Sequence, residues 1–346
     1  MRLAFEILEL RTRHAFRIAR AGSPEARRSV WVRLTDEDGV EGWGEAAPLP
    51  YYGETPETVC AVLPRYAEAL GTDPFALERV ERELERTVGR NPAARAALSA
   101  ALHDLVGKRL GMPVWRLWGL DPADAPLSSF TLGLDEPRRM REKLREAASY
   151  PILKVKVGTP RDEEVLALVR EEAPDKVVRV DANTAWSVKE AMAKLPMLEA
   201  YGVELVEQPL PADDLEGLAV LRRASRIPIV ADESCRTAAD VPRLAGRVDG
   251  VNVKLAKCGS LREAVRIVHV ARAHGLQVML GCMVESTLGI AAAVQLAPLV
   301  DWVDLDGAAL LATDPFEGPG LESDGRLRFN TEPGLGVRRS GSAGGD

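Results

Sequence analysis

No run of 18 or more apolar residues occurs in the 346-residue chain, so nothing in it reads as a membrane-spanning helix. The opening MRLAFEILELRTRH breaks its apolar stretch with charges, which argues against a secretory signal. Cysteine is scarce. Cys60, Cys235, Cys258 and Cys282 are scattered with no C-x-x-C, so neither a disulfide framework nor a zinc site is expected. Positive charge is not in surplus either: 45 Lys and Arg stand against 52 Asp and Glu, a net charge of −7. That balance argues against nucleic acid or an acidic membrane as partner. Arg138-Arg139 and Arg222-Arg223 lie among acidic residues on expected helices and read as solvated faces. A cytoplasmic protein acting on a small molecule is the expectation. What the chain does have is 46% hydrophobic residues, ample for a large core, and a length suited to one barrel or a barrel with a companion domain.

Two grammars divide the chain. SVWVRLT and VEGWGEA read as strands joined by a turn at Asp38-Gly39. Thr55 to Leu110 is alanine-rich and charged, with apolar residues at helical spacing. Together they suggest a small α+β unit. After Pro113, short apolar runs alternate with amphipathic stretches. The runs are SSFTLGL, ILKVKVG, VVRVDAN, VELVEQP, IPIVADE, VDGVNVK, LQVMLGC and DWVDLDG, eight in roughly 180 residues. Such alternation predicts a parallel α/β fold, and its density favours a closed barrel over an open sheet.

Strands buried in a parallel sheet should be almost wholly apolar, yet these end in charges. Lys154 and Lys156 share one face of a strand, Asp181, Glu207, Asp232 and Lys254 each follow an apolar run, and Asp304 and Asp306 close the series. Lys156, Asp181, Glu207 and Asp232 are spaced by 25, 26 and 25 residues, one strand-helix unit each. In a barrel those ends ring a single mouth. Any one of them could be an ordinary surface charge just past a strand. A whole series in register is better explained as one site, because buried charges need partners or a metal.

Three carboxylates without nearby His or Cys make a hard oxygen site for Mg²⁺, with Mn²⁺ as the alternative. A substrate carboxylate on such an ion acquires a more acidic neighbouring C–H. Lys156 and Lys254, on the second and sixth strands, face each other across the mouth and suit proton removal on one side and return on the other. Lys154 adds a second cation near the base and a contact for the substrate carboxylate.

The K-x-K of LKVKVG, DAN at Asp181, EQPL at Glu207, ADES at Asp232 and NVKLAKCGS around Lys254 resemble the enolase superfamily, muconate-lactonizing subgroup, from about Glu6 to Gly336. The resemblance implies a (β/α)₇β modified TIM barrel with an α+β capping domain. It places the cap at 1–112, the barrel at 113–310 and a segment returning to the cap at 311–336, while the SGSAGGD ending makes 337–346 a flexible tail by composition. It also implies Mg²⁺ on Asp181, Glu207 and Asp232, with Lys156 and Lys254 as the acid/base pair. VDLDGAALLA is similar to the closing strand of dipeptide epimerases, where Asp304 and Asp306 would hold the ammonium of a dipeptide. HAFRIARAGSPEARRSV resembles their specificity loop, with Arg20 expected to meet an acidic side chain, and LGCMVES supplies Cys282 and Met283 to the pocket. Within that group the match is to L-Ala-D/L-Glu epimerases that recycle murein peptide. Tyr51, in PLPYYGET, stands where relatives carry arginine, which would weaken selection for glutamate and admit hydrophobic residues.

Other residues are ambiguous by sequence. Trp186 fits pocket or core, Asn183 the metal's surroundings or its loop, and Glu233 a lysine partner or a helix cap. Lys257 is expected on a loop and His103 in the core. His269 and His274 occupy no strand end, which argues against histidine-based dehydration. Competing readings are an epimerase of hydrophobic dipeptides, cycloisomerase or o-succinylbenzoate synthase chemistry, and an inactive binding scaffold. A homo-oligomer is an expectation by analogy alone.

Overall fold

The computed structural model describes residues 1–19 and 26–341. Three antiparallel strands open it: β1 (Arg2–Arg11), β2 (Ala26–Thr35) and β3 (Glu41–Ala46), in that spatial order. The β2–β3 turn forms because Asp36 Oδ1 accepts from the backbone of Asp38 and Val40, while Gly39 takes φ +84°. β1 was not among the expected strands. It is an edge strand whose exposed and half-buried residues give a weak alternation, with Ile7 left 40% exposed.

Helices Pro56–Ala67, Leu77–Thr87 and Pro92–Leu110 complete this unit. The last packs on β3 at close range. A Cβ at Gly42 or Gly44 would lie 2.0 Å from the carbonyl oxygen of Ala101 or Ala97, so only glycine permits the approach. Val30, Val32, Leu34, Leu63, Leu98 and Leu102 form the core between sheet and helices.

The eight expected apolar runs all become parallel strands: β4 (Phe130–Leu132), β5 (Ile152–Lys156), β6 (Val177–Asp181), β7 (Val203–Glu207), β8 (Ile229–Ala231), β9 (Gly250–Val253), β10 (Gln277–Gly281) and β11 (Trp302–Asp304). Each pairs with the next, and a parallel bridge from Ser128 to Val303 closes the ring. Helical connections fill every interval, giving the (β/α)₇β barrel. Caps set their starts: Ser187 and Glu190 form a capping box ahead of Val188–Ala200, and Ser260 caps Leu261–Ala273. No helix among the described residues is long and apolar enough to cross a membrane.

The cap is locked over the barrel by polar contacts. Glu45 of β3 accepts from the backbone of Ser286 and Gly289, at the start of helix Thr287–Val294, and from Ser286 Oγ. Trp31 packs edge to face on both Trp43 and Phe316 beside it, ring centroids 5.2 Å apart. The C-terminal segment returns along helix Pro92–Leu110, where Leu335 donates to Asp104. Within the stretch expected to be a flexible tail, Arg338–Arg339 pair as a strand with Phe316–Glu317 and Arg338 meets Glu317 at 2.8 Å, while residues 342–346 lie outside the described residues.

Candidate active site

Between the cap and the C-terminal ends of the barrel strands lies a cavity of about 520 Å³. Lys154, Lys156, Asp232, Lys254, Asp304 and Asp306 line its floor. All are buried, and Asp181 and Glu207 are completely so. The β6–β7 register sets Asp181 opposite Glu207, and β5–β6 sets Lys156 opposite Asp181, so the strand pairing itself assembles the row.

The charges compensate one another. Lys156 Nζ lies 2.6 Å from Asp181, Lys254 Nζ 2.8 Å from Asp232, and Lys154 Nζ 2.6 Å from Asp304 and 2.7 Å from Glu207. Burial lowers the basicity of Lys154, but Asp304, Glu207 and Asp181 outweigh it and hold the amine well above its ordinary range. Burial likewise works against the Asp304 carboxylate, and Lys154 holds it down at about 2. Asp306 feels Lys154 less and makes no ion pair among the described residues. Burial and the adjacent Asp304 push it up to about 7, with the Thr131 N–H at 2.6 Å as its hydrogen-bond donor.

Asp181, Glu207 and Asp232 each offer a carboxylate oxygen, the atoms all within 4.8 Å of one another. Glu207 Oε2 accepts no well-aligned hydrogen bond despite Lys154 Nζ at 2.7 Å. An all-oxygen, buried set with an unsatisfied acceptor fits a hard divalent cation.

Three polar residues that the sequence left unassigned support this row. Lys257 is buried in the helical turn Leu255–Cys258, not on a loop, and donates to Asp232 Oδ1, to the Asp232 carbonyl at 2.6 Å and to the Asn252 carbonyl at 2.8 Å. Asn252 donates to Glu207 at 2.8 Å. Gln208 accepts from the backbone of Asp232 and Ser234, tying two strand ends together. Asn252 and Gln208 are polar residues inside or next to an apolar strand run, the same signal that revealed the charges, whereas Lys257 lies beyond its strand and carries no such signal. A Cβ at Gly281 would lie 2.8 Å from Asn252 and 3.1 Å from Lys254, so glycine keeps room for that lysine.

Of the remaining expectations, Tyr51, Cys282 and Met283 line the cavity, and Tyr51 packs edge-on against Tyr52. Arg20 lies outside the described residues. Asn183 donates to Asp181 at 3.2 Å and also lines the cavity. Trp186 is in the core, with Lys194 over its ring. His103 is buried against Trp118 and bonded to the Ser99 carbonyl.

This fold and floor define a class. Residues 138–342 match the family described as Enolase C-terminal domain-like, and residues 4–119 match the Mandelate racemase / muconate lactonizing enzyme, N-terminal domain. The chain belongs to the enolase superfamily. Its relatives narrow the comparison to isomerases of dipeptides. It is 38% identical to the L-Ala-D/L-Glu epimerase of Bacteroides thetaiotaomicron, over 98% of this chain and 88% of that protein. It is also 38% identical to the hydrophobic dipeptide epimerase of Roseobacter litoralis, over 93% of this chain and 95% of that one. The dipeptide epimerase of Enterococcus faecalis V583, crystallised with Mg and L-Leu-L-Tyr, superposes with a TM-score of 0.91 at 34% identity, covering 97% of this chain and 98% of its own.

Proposed function

We propose that the protein is an Mg²⁺-dependent dipeptide epimerase, with L-Ala-L-Glu as its substrate. The observation that carries this reading is the pair of lysines held on opposite sides of one carboxylate triad, Lys156 against Asp181 and Lys254 against Asp232. Asp181, Glu207 and Asp232 would hold the ion. Bound there, Mg²⁺ supplies positive charge beside the substrate carboxylate, acidifies the neighbouring C–H and competes for the carboxylates that keep the lysines protonated.

The chain's own residues do the rest. A lysine Nζ on one side takes the α-proton and becomes an ammonium. The ammonium on the other side gives its proton to the opposite face of the same carbon. Each turnover thus inverts the centre and exchanges the protonation states of Lys156 and Lys254. Lys154 steadies the substrate carboxylate. Asp304 and Asp306 receive the α-ammonium, a task with no counterpart in lactonization or succinylbenzoate synthesis. The family's murein-recycling enzymes suggest a cytoplasmic role in peptide recycling.

The second reading, an epimerase of hydrophobic dipeptides, is favoured by Tyr51 and by the apolar Phe16, Ile18, Leu49 and Pro50 along the cavity. Incubation with Mg²⁺ and a panel of dipeptides in D₂O separates them. Deuterium should enter at the α-carbon of the second residue, fastest with L-Ala-L-Glu. Faster exchange with hydrophobic dipeptides would establish the second reading, and none across the panel would sink both.

A further inference from the structure

The roof of the cavity includes a short turn whose placement is decided outside the cavity. Pro48, Leu49, Pro50, Tyr51 and Tyr52 line the wall there. Within the turn, the Leu49 carbonyl accepts from the backbone of Tyr52 and Glu54, and the Pro50 carbonyl accepts from Gly53. These few bonds hold little against chain entropy, and Tyr51 is 48% exposed. The turn therefore needs anchors elsewhere.

Glu54 supplies one. It is buried, 2% exposed, and is not among the residues lining the cavity. Its two carboxylate oxygens accept from the backbone N–H of Ala93 at 3.0 Å and of Ala94 at 3.4 Å, in the first turn of helix Pro92–Leu110. Such N–H groups are normally satisfied by the side chain of the helix's own N-cap residue. Here the N-cap is Asn91, which is left-handed at φ 50° and makes no capping bond; its side chain donates to the Gly89 carbonyl. Glu54, 39 residues before Ala93, takes over that task, and its charge meets the positive end of the helix. Burial pushes the Glu54 carboxyl above its ordinary range, against the Ala93 and Ala94 N–H groups and the positive charges of Arg95 and Arg236. Arg236, on the barrel loop after Asp232, supplies the other anchor, its guanidinium 5.2 Å from the centre of the Tyr52 ring.

We infer that Glu54 is a positioning residue: by capping helix Pro92–Leu110 it holds the turn 49–54 in place over the cavity and so sets how tightly a dipeptide binds. This rests on the epimerase reading and deepens it. Glu54 belongs to the cap, while the metal ligands, Lys156 and Lys254 belong to the barrel, so its effect should fall on binding and spare proton transfer.

The test compares wild type, Glu54→Ala and Glu54→Gln as full-length Mg²⁺-loaded protein, on the dipeptide that wild type epimerises fastest. KM should rise about 3- to 30-fold in Glu54→Ala, the fold-change equivalent to one helix N-cap, with kcat and the Mg²⁺ dissociation constant close to wild type. Glu54→Gln keeps one acceptor oxygen and should fall between the two, which also decides the matter if Glu54→Ala does not fold. Amide hydrogen exchange over residues 48–55 should quicken in step with KM. An unchanged KM in both variants overturns the assignment, even where urea denaturation shows lost stability, because Glu54 would then be a helix cap alone. A fall in kcat or in Mg²⁺ affinity as large as the rise in KM also overturns it, since the damage would then reach the floor. Wild-type protein inactive on every dipeptide is a distinct result that removes the epimerase reading and the binding role with it, while faster exchange in Glu54→Ala would still assign the turn's placement to Glu54.

Discussion

On the barrel side of the cavity, lysines and carboxylates from successive strands hold one another within 2.6–2.8 Å, and Lys257, Asn252 and Gln208 brace them from behind. On the cap side, Phe16, Ile18, Leu49, Pro50, Tyr51 and Tyr52 cover the cavity, and among the described residues Arg27 makes no ion pair. Under the proposed function the two walls have different tasks. Moving a proton needs charges fixed to within fractions of an ångström, which strand ends in a closed barrel provide. Accepting one side chain and refusing another needs a surface whose contacts can vary without disturbing that geometry. Substitutions in the floor should therefore damage the reaction for every substrate, and substitutions in the roof should alter which substrate is used.

The largest effect expected comes from the floor. Lys156→Ala or Lys254→Ala should lower epimerisation by about 10²–10⁴-fold, as loss of a general acid or base does. Each variant should also lose α-proton exchange preferentially with one epimer, read by NMR in D₂O with the L,L and L,D dipeptides separately. A drop confined to one kind of second residue would instead place the lysine in recognition and erase the contrast between the walls.

Lys257→Met comes next. It removes a buried ammonium that donates to Asp232 Oδ1 and to the carbonyls of Asp232, Cys235 and Asn252. Breaking such a group should destabilise the fold by about 3–5 kcal/mol, measured by urea denaturation, and weaken Mg²⁺ binding with it. A stability loss with unchanged metal affinity would mean that Lys257 supports the barrel and not the Asp232 geometry.

The narrowest effect, confined to the pH dependence of stability, lies at the seam between the two regions. Glu285, beside the pocket residues Cys282 and Met283, is pushed up to about 8 by burial and by the nearby Glu45. An acid whose folded pKa exceeds its unfolded one binds more protons when folded, so its contribution to stability falls as pH rises from the ordinary carboxylate range to about 8. Glu285→Gln should flatten that decline by at most about 1.4 kcal/mol per pH unit. Denaturation curves between those limits check it, and an equal slope in both proteins would show that Glu285 is already ionised in the fold.

Much of this was legible in the chain. All eight barrel strands could be read from apolar runs, and the floor could be read from charges that ended those runs at intervals of one strand-helix unit. β1 escaped because an edge strand buries too little to alternate cleanly. Lys257 escaped because the same letters suit an exposed loop lysine and a buried one; only its position behind Asp232 distinguishes them. The ordering of Arg338–Arg339 depends on pairing with Phe316–Glu317, which no local pattern announces.

What the sequence determined by itself was the barrel and the row of charges at its mouth, because period and spacing are local properties that a parallel sheet converts directly into position. Tertiary structure decided which charges are paired. Arg27 and Arg28 are adjacent and alike in the sequence, yet Arg28 meets Glu57 and Arg27, among the described residues, makes no ion pair, since partnership depends on what the folded chain brings near.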